Sequence, residues 1–543
     1  MSNTETKSRS RFFSGVVALT AANLFVKVVG LILKIPLRSL LTDAGMAYYN
    51  NAYEIYAWLF TVATTGLPIA VSMLVSENRV KGNVKEIRKI FKVTTLLFIV
   101  IGLVGTGVMF FGAPFFERAY KIENSAFCMM AVAPTLLFIC IASALRGYFQ
   151  GYQRMSPTAV SEVIEAVGKL VIGLLLANYA IGQGYPLYMV AAYAALGLTI
   201  GVAGGMLFLI ISKLLFRPEK YDIEYAALAD ESLPVKSAKK ILITLVMIAI
   251  PITLANSVMS FSTMLDGMIL SRRLQSIGFS EEIVKTMIGN YKSCATPLAN
   301  LPPALVTPIT ASIIPLMSAS IAAGNRERTK RVMDGSLLIT AILELPCALG
   351  MSVLAEPIIK LLFGGDSSAE AAAPLLSILA LSVFFVSTIS ITGAFLQAHK
   401  LERKPIISMI CGAAVKLLAS YLLIGIPALN IYGSPIASCL GCFTISAVNL
   451  YFIKKHIGFV PDFRKILVRP FAASVICAVT AMGAYWLFSQ FFTRLAVILA
   501  ILVAMVVYFF VIFLLRALTR EDILLLPKGE ALCRLLGKMR LLR

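Results

Sequence analysis

The sequence predicts an all-α polytopic membrane protein of about fourteen transmembrane helices. Two six-helix lobes related by duplication make up most of it, with two further helices at the C-terminal end. Three observations carry this. The 543 residues are 59% hydrophobic and only 14% charged, more apolar surface than a water-soluble fold of this size can hide. Apolar runs of 18 or more residues recur along the chain, each long enough to cross roughly 30 Å of hydrocarbon as a helix. Two separated segments also repeat elsewhere in the chain at nearly the same offset, the mark of an internal duplication.

Spans are expected near 12–37, 47–77, 90–113, 125–149, 158–180, 186–213, 239–265, 286–319, 332–353, 373–398, 405–427, 432–453, 466–489 and 494–516. The polar N-terminus followed by a long, lysine-interrupted run reads as a retained first span rather than a cleaved signal peptide. This gives an N-terminal lobe at 1–215 and a mixed-charge cytoplasmic linker at 216–238. A C-terminal lobe follows at 239–455, then the last two spans within 456–517 and a tail at 518–543. In the tail leucines alternate with basic residues, which suits a short amphipathic helix on the inner membrane face or a solvated tail.

The duplication is clearest around Arg146–Lys169 (RGYFQGYQRMSPTAVSEVIEAVGK). Gln150 and Lys169 are spaced as Gln397 and Lys416 are in FLQAHKLERKPIISMICGAAVKLL, and a basic residue precedes Pro157 and Pro405 alike. GLPIAVSMLVSENRVKGN (66–83) matches VTPITASIIPLMSASIAAGN (306–325) at a similar shift, with two residues inserted.

The net charge of +21 could point to nucleic acid, but its distribution argues for topology instead. An even number of spans puts both termini on one side. The loops of that side hold most of the 49 Lys and Arg, and the other side holds nine, from Arg38 to Arg494. The positive-inside rule makes both termini cytoplasmic in a plasma membrane, with attraction to anionic lipids as a by-product. Nine Cys lie scattered in apolar segments; Cys439 and Cys442 (CLGC) sit within a helix and read as small packing residues. His399 and His456 stand in basic loops, so no metal site is expected.

Basic residues inside spans are costly and normally face a partner or a wet cavity. Asn23, Lys27, Gly30 and Lys34 fall at i, i+4, i+7 and i+11 of span one, a single polar stripe without an acid. That suits an anionic group such as a phosphate or pyrophosphate, although Lys34 can also snorkel to an interface. Glu162, Glu165 and Lys169 share one face of span five, with Glu165 and Lys169 in the favourable i, i+4 order, so they are expected to neutralise one another. Glu54 stands among tyrosines near the outer interface, either as their partner or lining a cavity. Asn256, Ser260, Thr263 and Asp266 follow a kink expected at Pro251. Span eight, with Pro297, Pro302, Pro303, Pro308 and Pro315, is expected to break repeatedly, which is tolerated only against protein or water. Spans one, two, seven and eight are expected to line a central chamber used in alternating access. No nucleophile with a placed base and no nucleotide-binding loop is present, so an enzyme is not expected. No cofactor is expected; energy would come from a Na+ or H+ gradient, the membrane potential or consumption of the substrate downstream.

Four segments, NLFVKVVGLILKIPL (23–37), YEIYAWLFTVATTGLPIAVSMLVSENRVKGN (53–83), LRGYFQGYQRMSPTAVSEVIE (145–165) and DGMILSRRLQSIGFSEE (266–282), resemble the polysaccharide-biosynthesis branch of the multidrug/oligosaccharidyl-lipid/polysaccharide exporter superfamily. Within it they are most similar to the stage V sporulation B and MurJ-type lipid II flippase groups. The resemblance implies a MATE-like fold of two six-helix lobes around a cationic cavity. It also implies movement of an undecaprenyl-diphosphate-linked sugar precursor to the outer leaflet, with cell-wall synthases as expected partners. It places Lys27, three before Gly30, on the pyrophosphate; the second basic position of the pattern is Leu33 here, with Lys34 one residue on. Arg272, Arg273 and Lys292 are the remaining candidate cations, and Glu54 and Asp266 would hold the cations or couple an ion. Export of another lipid-linked glycan, a drug/cation antiporter and a non-transporting scaffold are the alternatives.

Overall fold

The computed structural model describes residues 3–216, 233–306, 310, 317, 320–321, 323–364, 370–492, 494–515 and 517. The tail at 518–543, most of the linker, and Pro308 and Pro315 lie outside the described residues. The described chain is helical throughout and divides into two compact units, Met1–Gly289 and Asn290–Arg543. Nine helical stretches among the described residues are long and apolar enough to cross a membrane, and a bent tenth joins them.

The first unit contains α1 (Asn3–Thr64), α2 (Leu67–Val80), α3 (Val84–Tyr120), α4 (Ala126–Val132), α5 (Thr135–Gly151), α6 (Ser156–Gly182), α7 (Leu187–Leu215), α8 (Ala238–Ser276) and α9 (Glu281–Asn290). Spans one and two differ from the sequence reading. The stretch expected to be a loop between them is a sharp kink at Thr42 (φ 56°, ψ 177°) inside α1. A threonine in this left-handed region is strained. The guanidinium of Arg38 clamps the carboxylate of Asp43 across the kink, at 2.5 Å and 3.0 Å, with both residues buried. The second span is itself broken after Thr64, because Pro68 in the first turn of α2 lacks the N–H that a continuous ladder requires. The fourth span is likewise split before Pro134 into α4 and α5. The bend of α8 falls between Leu254 and Asn256, at 46°, one turn beyond Pro251. α8 packs against α1, α2 and α3.

The second unit opens with a π-turn at Tyr291–Ala295 and a short helical turn at Thr296–Ala299, and the helix stops at Asn300 before Pro302, the break the prolines imply. It continues with α10 (Arg326–Val353), α11 (Ala355–Phe363), α12 (Ala373–Ala380), α13 (Ser382–Ala398), α14 (Arg403–Ile424), α15 (Gly433–Ile457), α16 (Arg469–Ser489) and α17 (Leu495–Leu514).

Helix boundaries reproduce the duplication to the residue. α4, α5 and α6 start at Ala126, Thr135 and Ser156; α12, α13 and α14 start at Ala373, Ser382 and Arg403. Each starts 247 residues after its counterpart. α3 and α10 are launched alike: Asn83 and Asn325 each follow a left-handed glycine and accept the N–H of the third residue on, Glu86 or Arg328, at an offset of 242. The consecutive helices of the pairs α6–α7 and α14–α15 pack extensively along each other, and glycines line both crossings.

Candidate anion-binding face of the first unit

The first unit gathers an unusual number of charged and aromatic groups on α1, α5, α6 and α8. Tyr49, Tyr53, Tyr56 and Phe60 form a ladder along α1, with successive ring centroids 5.8–6.5 Å apart. The 3.6-residue period puts positions three and four apart on one helix face. Two lysines from different helices converge on this ladder. Lys34 donates to the Asn50 side-chain oxygen and lies 5.8 Å from the centre of the Tyr49 ring. Lys169, from α6, lies 4.6 Å from the Tyr53 ring and 6.0 Å from the same Tyr49 ring. Cation–π contacts of this kind hold an ammonium in place without cancelling its charge.

Glu165 does not neutralise Lys169, contrary to the i, i+4 expectation. Its carboxylate is taken by Arg146 of α5, at 2.5 Å, and Arg146 also donates to the Ser161 hydroxyl at 3.2 Å. The side chains of Arg146 and Glu165 are 12% and 15% exposed. A fork-shaped guanidinium from a neighbouring helix outcompetes a flexible ammonium one turn away. That leaves Lys169 on tyrosine faces, with no carboxylate among the described residues.

Glu54 accepts a hydrogen bond from the Tyr120 hydroxyl at 3.0 Å, and Tyr120, fully buried, also donates to the Met264 carbonyl at 3.3 Å. Asp266 is buried at 7% exposure on α8. Ser271 donates to the Tyr120 carbonyl, so α8 is stitched to the end of α3. Arg272 continues that stitch, donating to the carbonyls of Ala119 at 2.6 Å and Arg118 at 3.2 Å, and Gln275 donates to Lys121. Arg273 reaches Ser276 at 3.4 Å. The Arg272 guanidinium therefore caps a helix end. Lys285 pairs with Glu281 at 2.6 Å and covers Tyr48. Burial opposes the Lys285 charge, but its hydrogen bonds to Glu281 and Tyr48 outweigh it and hold the ammonium above the usual lysine range.

Lys27 differs from all of these. It is exposed on α1 together with Asn23, and among the described residues it has no hydrogen-bond or ion-pair partner. Asn256 is exposed on α8 and donates to its own helix at Ile252, 3.0 Å away. Lys292 lies in the π-turn of the second unit, half-buried. Of the repeat residues, Gln150 closes α5, Pro157 begins α6 without an N–H to lose, and Pro405 sits buried in the first turn of α14. Gln397 is exposed at the end of α13, and Lys416 is half-buried beside Gly441 of α15. Cys439 donates to the Ile378 carbonyl at 3.3 Å, a packing role. Sequence reasoning passed over Tyr120 and Asp43 and read Arg38 only as a loop cation; the signal for the Arg38–Asp43 pair was a base and an acid five residues apart in one expected loop.

A family model described as Polysaccharide biosynthesis protein matches residues 12–321, and one described as MatE matches residues 292–422. The chain is 25% identical over 474 residues to the lipid II flippase MurJ of Bacillus subtilis, covering 85% of each. It is 22% identical over 477 residues to stage V sporulation protein B of the same organism, covering 87% of this chain and 88% of that one. Its fold is similar to a solved lipid II flippase MurJ in an inward closed conformation, with TM-score 0.67, 14% identity, and 91% and 98% coverage. It is also similar to an inward-facing multidrug resistance MATE family transporter of the MOP superfamily, with TM-score 0.62, 15% identity, and 79% and 98% coverage. The chain belongs to the polysaccharide biosynthesis protein family of that superfamily, a multi-pass membrane protein of the transporter and flippase class.

Proposed function

We propose that the protein is a flippase for an undecaprenyl-diphosphate-linked peptidoglycan precursor, lipid II, and that Lys27 engages the pyrophosphate. The observation that carries this reading is the unpartnered Lys27 on α1, the helix whose Tyr49 holds two ammonium groups, Lys34 of α1 and Lys169 of α6. An exposed ammonium within an apolar span is tolerable against water or an anion and costly against acyl chains. A pyrophosphate carries the charge to match several ammonium groups, and charge-assisted hydrogen bonds to phosphate are among the strong ones. The likeness to the Bacillus subtilis flippase along most of both chains supports the same substrate class.

The termini face the cytoplasm of the plasma membrane, and transport proceeds by alternating access, driven by a Na+ or H+ gradient or the membrane potential. Glu54 and Asp266 set the geometry of the cationic face, and Arg272 acts on it only through the α3–α8 junction. Cell-wall synthases at the outer face are the partners that would consume the product.

The test is complementation of a strain depleted of its own lipid II flippase, with wild type beside Lys27→Ala and both quantified in the membrane. A charge-assisted contact of about 1.5–3 kcal/mol corresponds to roughly 10–100-fold in transport, enough to abolish rescue at normal expression. Rescue by Lys27→Ala would sink the role of Lys27. Failure of a well-expressed wild type would move the substrate to another lipid-linked glycan.

A further inference from the structure

α10 carries one acid deep in its apolar stretch. Glu344 is 1% exposed, and neither carboxylate oxygen has a hydrogen-bond partner in the structure. The group that faces it is the hydroxyl of Ser387 on α13, itself 1% exposed and also without a partner. Four polar groups of the surrounding helices are engaged elsewhere. Thr340 donates to the Ser336 carbonyl, Thr388 to Phe384, Ser377 to Ser352, and Tyr508 of α17 to Ile342. Two facing polar side chains, each buried and without another partner, thus lie across the α10–α13 crossing.

The duplication shows that the fold does not need this pair. At the 242-residue offset of α3 and α10, the counterpart of Glu344 is Gly102. At the 247-residue offset of α5 and α13, the counterpart of Ser387 is Cys140. The two offsets, set independently by helix starts, pick out residues that do touch: a Cβ on Gly102 would stand 3.2 Å from the Cβ of Cys140 and 2.9 Å from Leu137 Cα. One copy closes this crossing with a glycine, while the other places a carboxyl group there.

We propose that Glu344 is a proton-binding site of the second unit, holding its proton while α10 and α13 are packed and releasing it when they part. An ionised carboxylate at this depth, unpaired, costs several kcal/mol, whereas a carboxyl O–H can donate to Ser387 Oγ. No charged side chain among the described residues lies against it. The titratable neighbours are Cys347 on α10 itself, Cys477 on α16 and Tyr508 on α17; α12 and α13 present none, Glu356 and Lys360 of α11 pair with each other, and Lys465 of the turn before α16 faces Asp334, far along α10. Sodium would need a shell of several oxygens, and Ser387 supplies one. On opening, the proton passes to entering water, which then solvates the carboxylate left behind. The inference rests on the chain being membrane-embedded and not on which lipid it carries.

The experiment uses the full chain in liposomes across a pH series, reading the infrared C=O stretch of buried carboxylic acid and the hydrogen exchange of segments 326–353 and 382–398. Wild type should show an acid band at neutral pH that is missing in Glu344→Gln. Below the pH at which that band fades, and above the ordinary carboxylate range, exchange corrected for its intrinsic rate should quicken about tenfold per pH unit in wild type, because each opening releases one proton, and it should level off once the band is gone. In Glu344→Gln it should stay flat. Should the variant fail to fold, the wild-type band and exchange slope decide alone: absence of the band, or exchange that stays flat with pH while the band persists, overturns the proposal. Loss of the band on adding NaCl at fixed pH also overturns it, in favour of a sodium site. Failure of the lipid II assignment would leave both readouts unchanged.

Discussion

Compare α4–α7 with α12–α15. The two copies break at the same place, before Pro134 and at Leu381, start their helices in step, and keep a lysine at the same position, Lys169 and Lys416. Ser161 and Ser408 correspond and are both fully buried. The ion pair is what differs. The counterparts of Arg146 and Glu165 are Gly393 and Gly412, so one copy holds a half-closed charge network where the other has two glycines. The frame of each copy is set by helix starts and glycine crossings that carry no charge, which leaves the charges free to diverge. A matched pair such as Arg146–Glu165 is static because each charge fixes the other. A lone acid such as Glu344 can change state by exchanging a proton. α5 and α6 are held in position by their pair, whereas α10, packed on α13 of the second copy, is able to switch.

The comparison breaks most visibly at Arg146. Removing one member of a buried pair leaves the other uncompensated, about 3–5 kcal/mol. Arg146→Met should therefore collapse the yield of folded protein in fluorescence-detected size exclusion. Arg146→Met combined with Glu165→Leu should recover most of it, because the second copy folds without either charge. If the double variant is no better than the single one, the pair does more than neutralise itself.

A smaller effect separates the two glycine crossings. A Cβ on Gly197 would land on the backbone of Gly173, which cannot yield without parting α6 from α7; a Cβ on Gly412 would first meet the Ile445 side chain, with one backbone atom, the Gly441 carbonyl oxygen, at 2.8 Å. Overpacking costs typically about 1–3 kcal/mol. Gly197→Ala should fall near the top of that range and Gly412→Ala near the bottom, read as thermal unfolding midpoints in detergent. Equal midpoints would mean that both crossings relax alike.

What the sequence made legible was whatever repeats or has a fixed local geometry. The Gln–Pro–Lys spacing and the Gly-Asn signature marked helix ends that the structure reproduces at offsets of 247 and 242, and the prolines of span eight marked a broken helix. What it hid was tertiary. The i, i+4 rule sees along one helix only and assigned Glu165 to Lys169, while Arg146 on the next helix takes it. Lys34 and Lys169 stand on separate helices, and nothing local says that both reach Tyr49. Arg38 and Asp43 looked like loop charges because a kink held by an ion pair has no periodic signature. Glu344 gave no signal either, a single acid in an apolar run whose meaning comes from Ser387 across the helix interface.

The finest contrast lies at the two N-caps. Asn325 accepts the Arg328 N–H at 2.9 Å, and Asn83 accepts the Glu86 N–H at 3.0 Å, so each satisfies one of the free donors of its helix. Losing such a cap costs about 1 kcal/mol. Asn83 has a second task, donating to the Pro234 carbonyl at 3.1 Å, beside Glu86, which accepts from the Lys236 N–H and pairs with its ammonium at 3.5 Å. Asn83→Ala should thus cost more than Asn325→Ala, and only Asn83→Ala should quicken proteolysis near Pro234. Asn83→Asp separates the two tasks, since aspartate caps the helix but cannot donate to the carbonyl. It should restore the unfolding midpoint while leaving the cleavage fast. Slow cleavage in Asn83→Asp would show that Glu86 and Lys236 hold this segment to α3 by themselves.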